Sequence, residues 1–123
     1  MRGTTRLGAL VLGAGLLVLS GCATQPQPLY SWGDYQPLIY KMYVKPGEAT
    51  PAEQVTQLSQ HIDKARAARQ KIAPGVHAQL GYMAYLDGKP AMAAEQFTAE
   101  KQLYPSSSEF MNRALARLKT GAQ

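Results

Sequence analysis

Residues 74–107 read PGVHAQLGYMAYLDGKPAMAAEQFTAEKQLYPSS, and this stretch decides the fold. Five residues in this stretch have the types and spacing that a pair of closely packed helices requires: Gly81, Gly88, Ala93, Phe97 and Pro105. The first glycine permits close approach of the helices, and the second allows the turn between them. The alanine makes room for opposing side chains, the phenylalanine fills the wedge, and the proline stops the second helix. The stretch therefore predicts two antiparallel helices.

Together with Leu80 beside the first glycine, these residues resemble one tetratricopeptide repeat, a unit of about 34 residues. The sequence departs from that pattern at His77, Ala84 and Glu100, where a tryptophan, a tyrosine and a small residue are usual. No preceding repeat is detectable when the pattern is moved back by one period. The resemblance covers about residues 74–107, which is one repeat only.

Tetratricopeptide-like folds bind their partners in a groove lined mainly by the first helix of each repeat. The resemblance therefore implies that four residues face such a groove: Ala78, Tyr82, Tyr85 and, from the following helix, Asn112. Tyrosine rings there could stack on a peptide and donate hydrogen bonds. The alternative is that Tyr82 or Tyr85 packs on a neighbouring helix of so small a bundle.

A helix precedes the repeat. Thr50, Pro51 and Glu53 combine a capping hydroxyl, a proline at the first helical position and a glutamate that can bond back to the cap. We expect this helix to cover about residues 51–72. Its C-terminal half carries four cations: Lys64, Arg66, Arg69 and Lys71. They complement the helix dipole, which we prefer to a phosphate site because no glycine loop accompanies them.

A final helix is predicted over about residues 107–119, starting at a second capping box in residues 106–109 and ending before Gly121. Four residues form its apolar stripe: Met111, Ala114, Leu115 and Leu118. One repeat cannot bury its own apolar face, so the flanking helices must cover it. The sequence therefore predicts an all-α fold, a small helical bundle that forms one domain over residues 30–120.

Five of the ten aromatic residues lie within fourteen positions: Tyr30, Trp32, Tyr35, Tyr40 and Tyr43. Asp34 can cap a short helix here, with one face formed by Leu38, Ile39, Met42 and Tyr43. The rings either pack on the other helices, or some of them, Tyr30, Trp32 and Tyr35, rest in a membrane interface or contact a partner.

Residues 1–21 form a basic start followed by a short apolar run, which is typical of an export signal that is removed. The run is too short to span a bilayer, which takes about 20 apolar residues. Residues 19–22 read LSGC and resemble the bacterial lipobox. That resemblance implies cleavage between Gly21 and Cys22 and lipidation of Cys22, the only cysteine. The alternative is a secreted protein with an unpaired thiol.

Residues 22–29 then form the lipidated cysteine and a short tether, so the domain lies close to its membrane. Ala23 stands where the enteric inner-membrane retention signal has an aspartate, which favours the outer membrane with the domain facing the periplasm. Loss of Arg2 and Arg6 with the signal lowers the formal charge from +5 to +3. We therefore expect a membrane-anchored protein and no nucleic-acid partner.

Catalysis requires groups of tuned acidity at short mutual distance. The only histidines, His61 and His77, have no acidic or cysteine partner at a recognisable spacing, and no zinc-ligand pattern is present. We expect no enzyme, no metal and no cofactor. A cell-wall hydrolase would require an acidic dyad in a cleft, which the sequence does not indicate.

The lipobox, the stretch LYSWGDYQ at residues 29–36, the stretch LIYKMY at residues 38–43 and the degenerate repeat together resemble the DUF4810 family of small proteobacterial lipoproteins. The resemblance spans most of the mature chain and implies an accessory role in an outer-membrane assembly, with a CsgG-like pore-forming lipoprotein as an expected partner. We therefore expect a protein-binding lipoprotein. The alternative is a structural envelope lipoprotein whose aromatic segment rests on the membrane surface.

Overall fold

The computed structural model describes residues 26–45 and 47–121. These residues form five α-helices: α1 (Tyr35–Val44), α2 (Pro51–Ala67), α3 (Val76–Leu86), α4 (Pro90–Leu103) and α5 (Ser108–Thr120). A 3-10 turn at Pro105–Ser107 joins α4 to α5. The predicted all-α bundle is confirmed. The predicted leader, its cleavage point at Gly21 and the lipidated Cys22 lie outside the described residues.

Helices α3 and α4 form the predicted antiparallel pair. Gly88 has a φ of 73° in the turn between them, a conformation that costs glycine least. A Cβ atom on Gly81 would lie 2.7 Å from the ring of Phe97, so the two helices approach each other more closely than any other residue would allow. Ala93 is fully buried at the same crossing. The predicted packing roles of these residues are confirmed.

Helix α2 begins at the predicted capping box. The Thr50 amide donates to Glu53 Oε2 over 2.9 Å, and the Glu53 amide donates to Thr50 Oγ1 over 3.3 Å. The predicted end near residue 72 is wrong, because Arg69 takes a left-handed φ of 55°. The Gln70 amide then bonds back to the Ala65 carbonyl over 2.9 Å. This Schellman closure ends the helix at Ala67.

The chain after α2 pairs with the N-terminal segment, a contact that the sequence did not indicate. Ser31 and Ile72 form an isolated parallel bridge. The Ser31 amide donates to the Lys71 carbonyl over 2.6 Å, and the Ala73 amide donates to the Ser31 carbonyl over 3.1 Å. Ile72 is therefore extended rather than helical, and the segment before α1 is tied to the α2–α3 connection.

Helix α1 buries one narrow face. Leu38 is the one buried residue of the helix, and Ile39 and Met42 are half-buried. Tyr43, which was expected on the same face, is 75% exposed because it lies toward the opposite side of the helix from Leu38. Asp34 stands at the N-cap but its side chain makes no capping hydrogen bond, so that part of the prediction is wrong.

Helix α5 starts without the expected capping box. The Ser107 hydroxyl donates to the Tyr104 carbonyl over 2.7 Å instead of accepting from the helix. Glu109 pairs with Arg113 on the helix surface at 3.0 Å. The helix ends at the predicted place, with Gly121 at a φ of 62°. Met111 is buried, and the other three residues of the predicted stripe pack against the core.

The core lies where α3 meets α2 and α4, and α4 in turn packs on α5. Its largest fully buried side chains include Leu58, Leu80, Met83 and Met111. The buried polar residues are Gln54, His77 and Glu100. Gln54 donates to the Ala49 carbonyl over 3.0 Å and accepts from Gln79 over 2.8 Å. No helix among the described residues combines the length and apolar character that a membrane crossing requires.

Candidate binding groove

Helices α3 and α5 border an open groove with a volume of about 980 Å³, which we call the α3/α5 groove. Helix α3 contributes Ala78, Gln79, Tyr82, Tyr85 and Leu86, and helix α5 contributes Phe110, Ala114, Arg117 and Leu118. Each set recurs at intervals of three and four residues, so each lies along one face of its helix. Helix α4 packs on both helices and contributes Phe97 to the lining.

The groove leaves three large apolar side chains open to solvent. Tyr82 is 48% exposed, Leu86 is 50% exposed and Phe110 is 67% exposed. They come from both borders of the groove, whereas Phe97 of α4 is only 5% exposed. Apolar and aromatic side chains that share one concave lining are typical of binding sites.

The lining contains a single charged residue, Arg117 of α5. Within the described residues no carboxylate lies within ion-pair distance of its guanidinium. A groove of aromatic and aliphatic side chains, with one cation that no described carboxylate pairs, can bind an apolar segment that carries a carboxylate.

Tyr35 of α1 meets Gly75, the N-cap of α3, at one end of the groove. A Cβ atom on Gly75 would lie 3.1 Å from the Tyr35 hydroxyl. Burial raises the pKa of Tyr35 above its usual value, and the negative charge of Glu100 raises the pKa further. The phenol therefore stays protonated at neutral pH, and its hydroxyl is available as a neutral donor.

Glu100 of α4 lies behind this end of the groove and caps α3. The Gly75 amide donates to Glu100 Oε1 over 2.8 Å, and the Ala78 amide donates to Oε2 over 3.3 Å. Gly75 has no side chain with which to cap its own helix, so a buried carboxylate from the neighbouring helix accepts these bonds. Sequence reasoning missed this role, although a glutamate at a usually small position and a glycine N-cap were both visible.

Three of the four predicted groove residues line the groove: Ala78, Tyr82 and Tyr85. The fourth, Asn112, does not, and it accepts a hydrogen bond from Lys101 Nζ over 3.0 Å on the outer side. Position 112 is two residues from both Phe110 and Ala114. It therefore lies about 200° around the axis of α5 from these groove residues and faces away from the groove. The groove residues that the sequence did not indicate include Phe110 and Arg117.

The predicted aromatic set does not form one surface. The Tyr30 ring packs edge-on against Tyr104, with ring centroids 6.2 Å apart, and the Tyr104 hydroxyl donates to the Ile72 carbonyl. The ring centroids of Trp32 and Tyr35 are 5.9 Å apart, and Trp32 is 38% exposed. Tyr30 and Tyr35 therefore pack into the domain, and Trp32 is the most exposed of the three.

Both histidines lie away from the groove lining. His61 Nε2 is 3.1 Å from the Ser31 carbonyl, and the buried His77 has Nδ1 2.7 Å from Gln96 Oε1. The described part of the chain holds no group of three or more histidine, cysteine, aspartate or glutamate side chains that could bind a metal ion. The groove lining itself holds tyrosines and an arginine as its ionisable residues.

Residues 29–114 match the model of a family described as a domain of unknown function, DUF4810. The matched range includes helices α1 to α4 and the first half of α5, and therefore most of the groove. No curated protein and no solved structure matches the chain. Because the match covers well over half of the sequence, this chain belongs to the DUF4810 family.

Proposed function

We propose that this protein is a non-enzymatic lipoprotein of the outer membrane that faces the periplasm and binds a protein partner in the α3/α5 groove. The observation that carries the proposal is the pair of side-chain rows on α3 and α5, which leaves Tyr82, Leu86 and Phe110 open to solvent beside the buried Phe97. Binding energy at interfaces is concentrated in such aromatic and aliphatic anchors.

The partner is proposed to supply an amphipathic helix with an acidic residue at its edge. Apolar side chains on one face of a helix dock into grooves of this kind. A carboxylate opposite Arg117 would fix the direction of the partner helix, because the guanidinium has no other acidic partner among the described residues. The family resemblance makes a segment of a CsgG-like lipoprotein the expected source, within an envelope assembly.

The single repeat also supports a binding role. The α3–α4 pair places Gly81, Ala93 and Phe97 at its crossing, as a tetratricopeptide-like unit would. We propose that the chain carries one such unit with α5 as its cap, so that the cap provides the second wall of the groove. The unit would present a partner site with no catalytic group.

Anchoring is proposed to occur through Cys22 after removal of residues 1–21. Cys22 stands four residues before Pro26, where the described chain starts. Acyl chains on this cysteine would hold the domain within a few nanometres of the lipid surface. Mass spectrometry of the native protein should find a processed N-terminus with acyl groups on Cys22, and an intact leader with a free thiol would contradict the proposed location.

Site-directed crosslinking tests the groove. A photo-reactive residue in place of Phe110 should crosslink one defined envelope protein, because position 110 lies on the open wall of the groove. Arg117→Glu should remove the crosslink by placing like charges together. A probe at Lys89, in the α3–α4 turn and outside the groove lining, is the matched control. Equal crosslinking from positions 89 and 110 would contradict the proposal.

The alternative function is a structural envelope lipoprotein whose aromatic segment lies on the membrane surface. The exposure of Leu29 (67%) and Trp32 (38%) is the observation that favours it. Tyr30 and Tyr35 pack into the domain, so only part of the predicted aromatic set is available. A blue shift of Trp32 fluorescence when neutral vesicles are added without any partner would support this alternative, and an unchanged spectrum would contradict it.

A further inference from the structure

A basic cleft lies where the N-terminal segment meets the connection after α2. Residues 27–31 line one side, and Arg69, Gln70 and Lys71 line the other, around a space of about 350 Å³. We call this space the tether-entry cleft, because residue 27 is only five positions after Cys22. Five residues reach about 17 Å at full extension.

The cations of this cleft are not explained by the helix dipole. Because α2 ends at Ala67, only Lys64 and Arg66 lie in its last turn. Arg69 and Lys71 lie beyond the helix, are exposed, and have no carboxylate within ion-pair distance among the described residues. Arg66 pairs with Asp63 at 4.0 Å, whereas Arg69 and Lys71 both line the cleft, so these two cations form a local positive patch there.

Two further observations join this patch to the tether. The Ser31 amide bonds to the Lys71 carbonyl, and the Ser31 carbonyl accepts from Ala73, so the segment that leads to Cys22 is fixed beside the cations. Leu29, which lines the same cleft, is 67% exposed. Leu29 would suit the apolar interior of a lipid interface, and Arg69 and Lys71, which no described carboxylate pairs, would suit its charged surface.

We propose that the tether-entry cleft contacts anionic phospholipid headgroups of the membrane that holds the protein. This inference rests on the proposed lipid anchor at Cys22. Arg69 and Lys71 meet phosphate groups at the surface, and Leu29 enters the interface beside them. Each cation near an anionic surface strengthens the contact about fivefold at low ionic strength. The contact orients the domain on the membrane and leaves the α3/α5 groove to bind its partner.

The test uses the native acylated protein in two kinds of vesicle, one of phosphatidylcholine alone and one of equal parts phosphatidylcholine and phosphatidylglycerol. Lysine side chains are labelled with an amine-reactive reagent, and the rate at each lysine is read by mass spectrometry. Lys71 should react at least about fivefold more slowly in the anionic vesicles. Lys119 in the last turn of α5 is the matched control, and its rate should stay unchanged.

Substitutions sharpen the test. Arg69→Gln should reduce the protection of Lys71 severalfold, Arg69→Lys should preserve it, and Arg113→Gln on α5 should have no effect. Both residues are exposed, so none of the three substitutions changes the buried core. Raised sodium chloride should weaken the protection, because the surface potential is screened.

Three labelling results would each overturn the inference: equal labelling of Lys71 in both vesicles, a loss of labelling at Lys119 as large as that at Lys71, or protection of Lys71 that survives Arg69→Gln unchanged. Inorganic phosphate and sodium chloride are also compared at matched ionic strength. If phosphate removes the protection of Lys71 more strongly than chloride does, the cleft is a discrete phosphate site, and that result would also overturn the inference. Flotation with neutral vesicles reports the acyl anchor separately. Failure of the anchor and failure of the cleft are therefore distinguishable.

Discussion

Helices α1 and α3 are nearly equal in length, yet they are buried to very different extents. Six of the eleven residues of α3 are buried, whereas only Leu38 is buried among the ten residues of α1. Helix α3 lies between α2 and α4, so most of its circumference is covered. Helix α1 covers one face and leaves Tyr40, Tyr43 and Val44 more than half exposed.

The difference in burial indicates that the α3–α4 pair supports the fold, whereas the outer face of α1 is mainly protein surface. The α3–α4 pair is closely packed, so it can hold the groove walls in a fixed arrangement before any partner binds, which lowers the ordering cost of binding. The exposed side of α1 contributes little to folding. We therefore expect substitutions in the pair to change the free energy of unfolding strongly, and substitutions on the outer face of α1 to change it weakly.

Phe97→Ala should have the largest effect. It removes a buried ring from the helix crossing and leaves a cavity, so the free energy of unfolding should fall by about 3–5 kcal/mol. Tyr43→Ala on α1 should change it by less than about 0.5 kcal/mol. Urea denaturation monitored by circular dichroism measures both. Similar losses for the two variants would show that the comparison between the helices is wrong.

Glu100→Ala should have the second largest effect and lower the free energy of unfolding by about 2–3 kcal/mol. The substitution leaves the Gly75 and Ala78 amides without acceptors in a partly buried site. Glu95→Ala, on the exposed side of the same helix, controls for helix propensity and should be nearly neutral. If both glutamate variants unfold at the same urea concentration, Glu100 does not cap α3.

Gly81→Ala tests the close approach itself. Alanine is favoured over glycine in a helix by about 1 kcal/mol, but its methyl group would overlap the Phe97 ring. Overpacking costs about 1–3 kcal/mol, so we expect a net loss of about 1 kcal/mol. The loss should shrink in a Phe97→Leu background. A variant more stable than the original chain would contradict the observed packing.

Tyr104→Phe should lower the free energy of unfolding at neutral pH by about 1 kcal/mol or less, because the bond to the Ile72 carbonyl is lost. Burial raises the pKa of Tyr104 and of Tyr35 above the usual 10.0. The stability that these phenols contribute is therefore complete below pH 10 and is lost as the pH rises through their higher folded values.

The alkaline part of this prediction has its own measurement. Unfolding free energies of the original chain should fall as the pH rises above 10, and Tyr35→Phe combined with Tyr104→Phe should flatten that fall. Tyr40→Phe, at a 61% exposed position of α1, should leave the pH profile unchanged. An identical alkaline slope in the double variant would mean that neither phenol is coupled to folding.

The sequence predicted those features that follow from short-range sterics. Three local features restrict the chain to few conformations: Gly81 against Phe97, the turn at Gly88 and the capping box at Thr50. All three are present in the structure. The end of α2 was not predictable in the same way, because Arg69 occupies a left-handed position where glycine or asparagine is usual. The bridge between Ser31 and Ile72 joins distant segments without any local signal.

The groove was only partly predictable for a similar reason. Ala78, Tyr82 and Tyr85 follow from the helical period of α3 once its inner face is known. The opposite wall depends on how α5 is rotated about its axis, which the 3-10 turn at Pro105–Ser107 sets. That rotation turns Asn112 outward and brings Phe110 and Arg117 to the groove. A buried glutamate that caps another helix likewise depends on a tertiary contact.

The most direct test of the central claim is a photocrosslinking comparison between the two regions. Probes replace Phe110 in the α3/α5 groove and Tyr43 on the outer face of α1 in the native, membrane-anchored protein. We predict that position 110 gives one defined protein adduct, that Arg117→Glu abolishes it, and that position 43 gives no such adduct. The same adduct from both positions, or an adduct at 110 that Arg117→Glu leaves unchanged, would contradict the account.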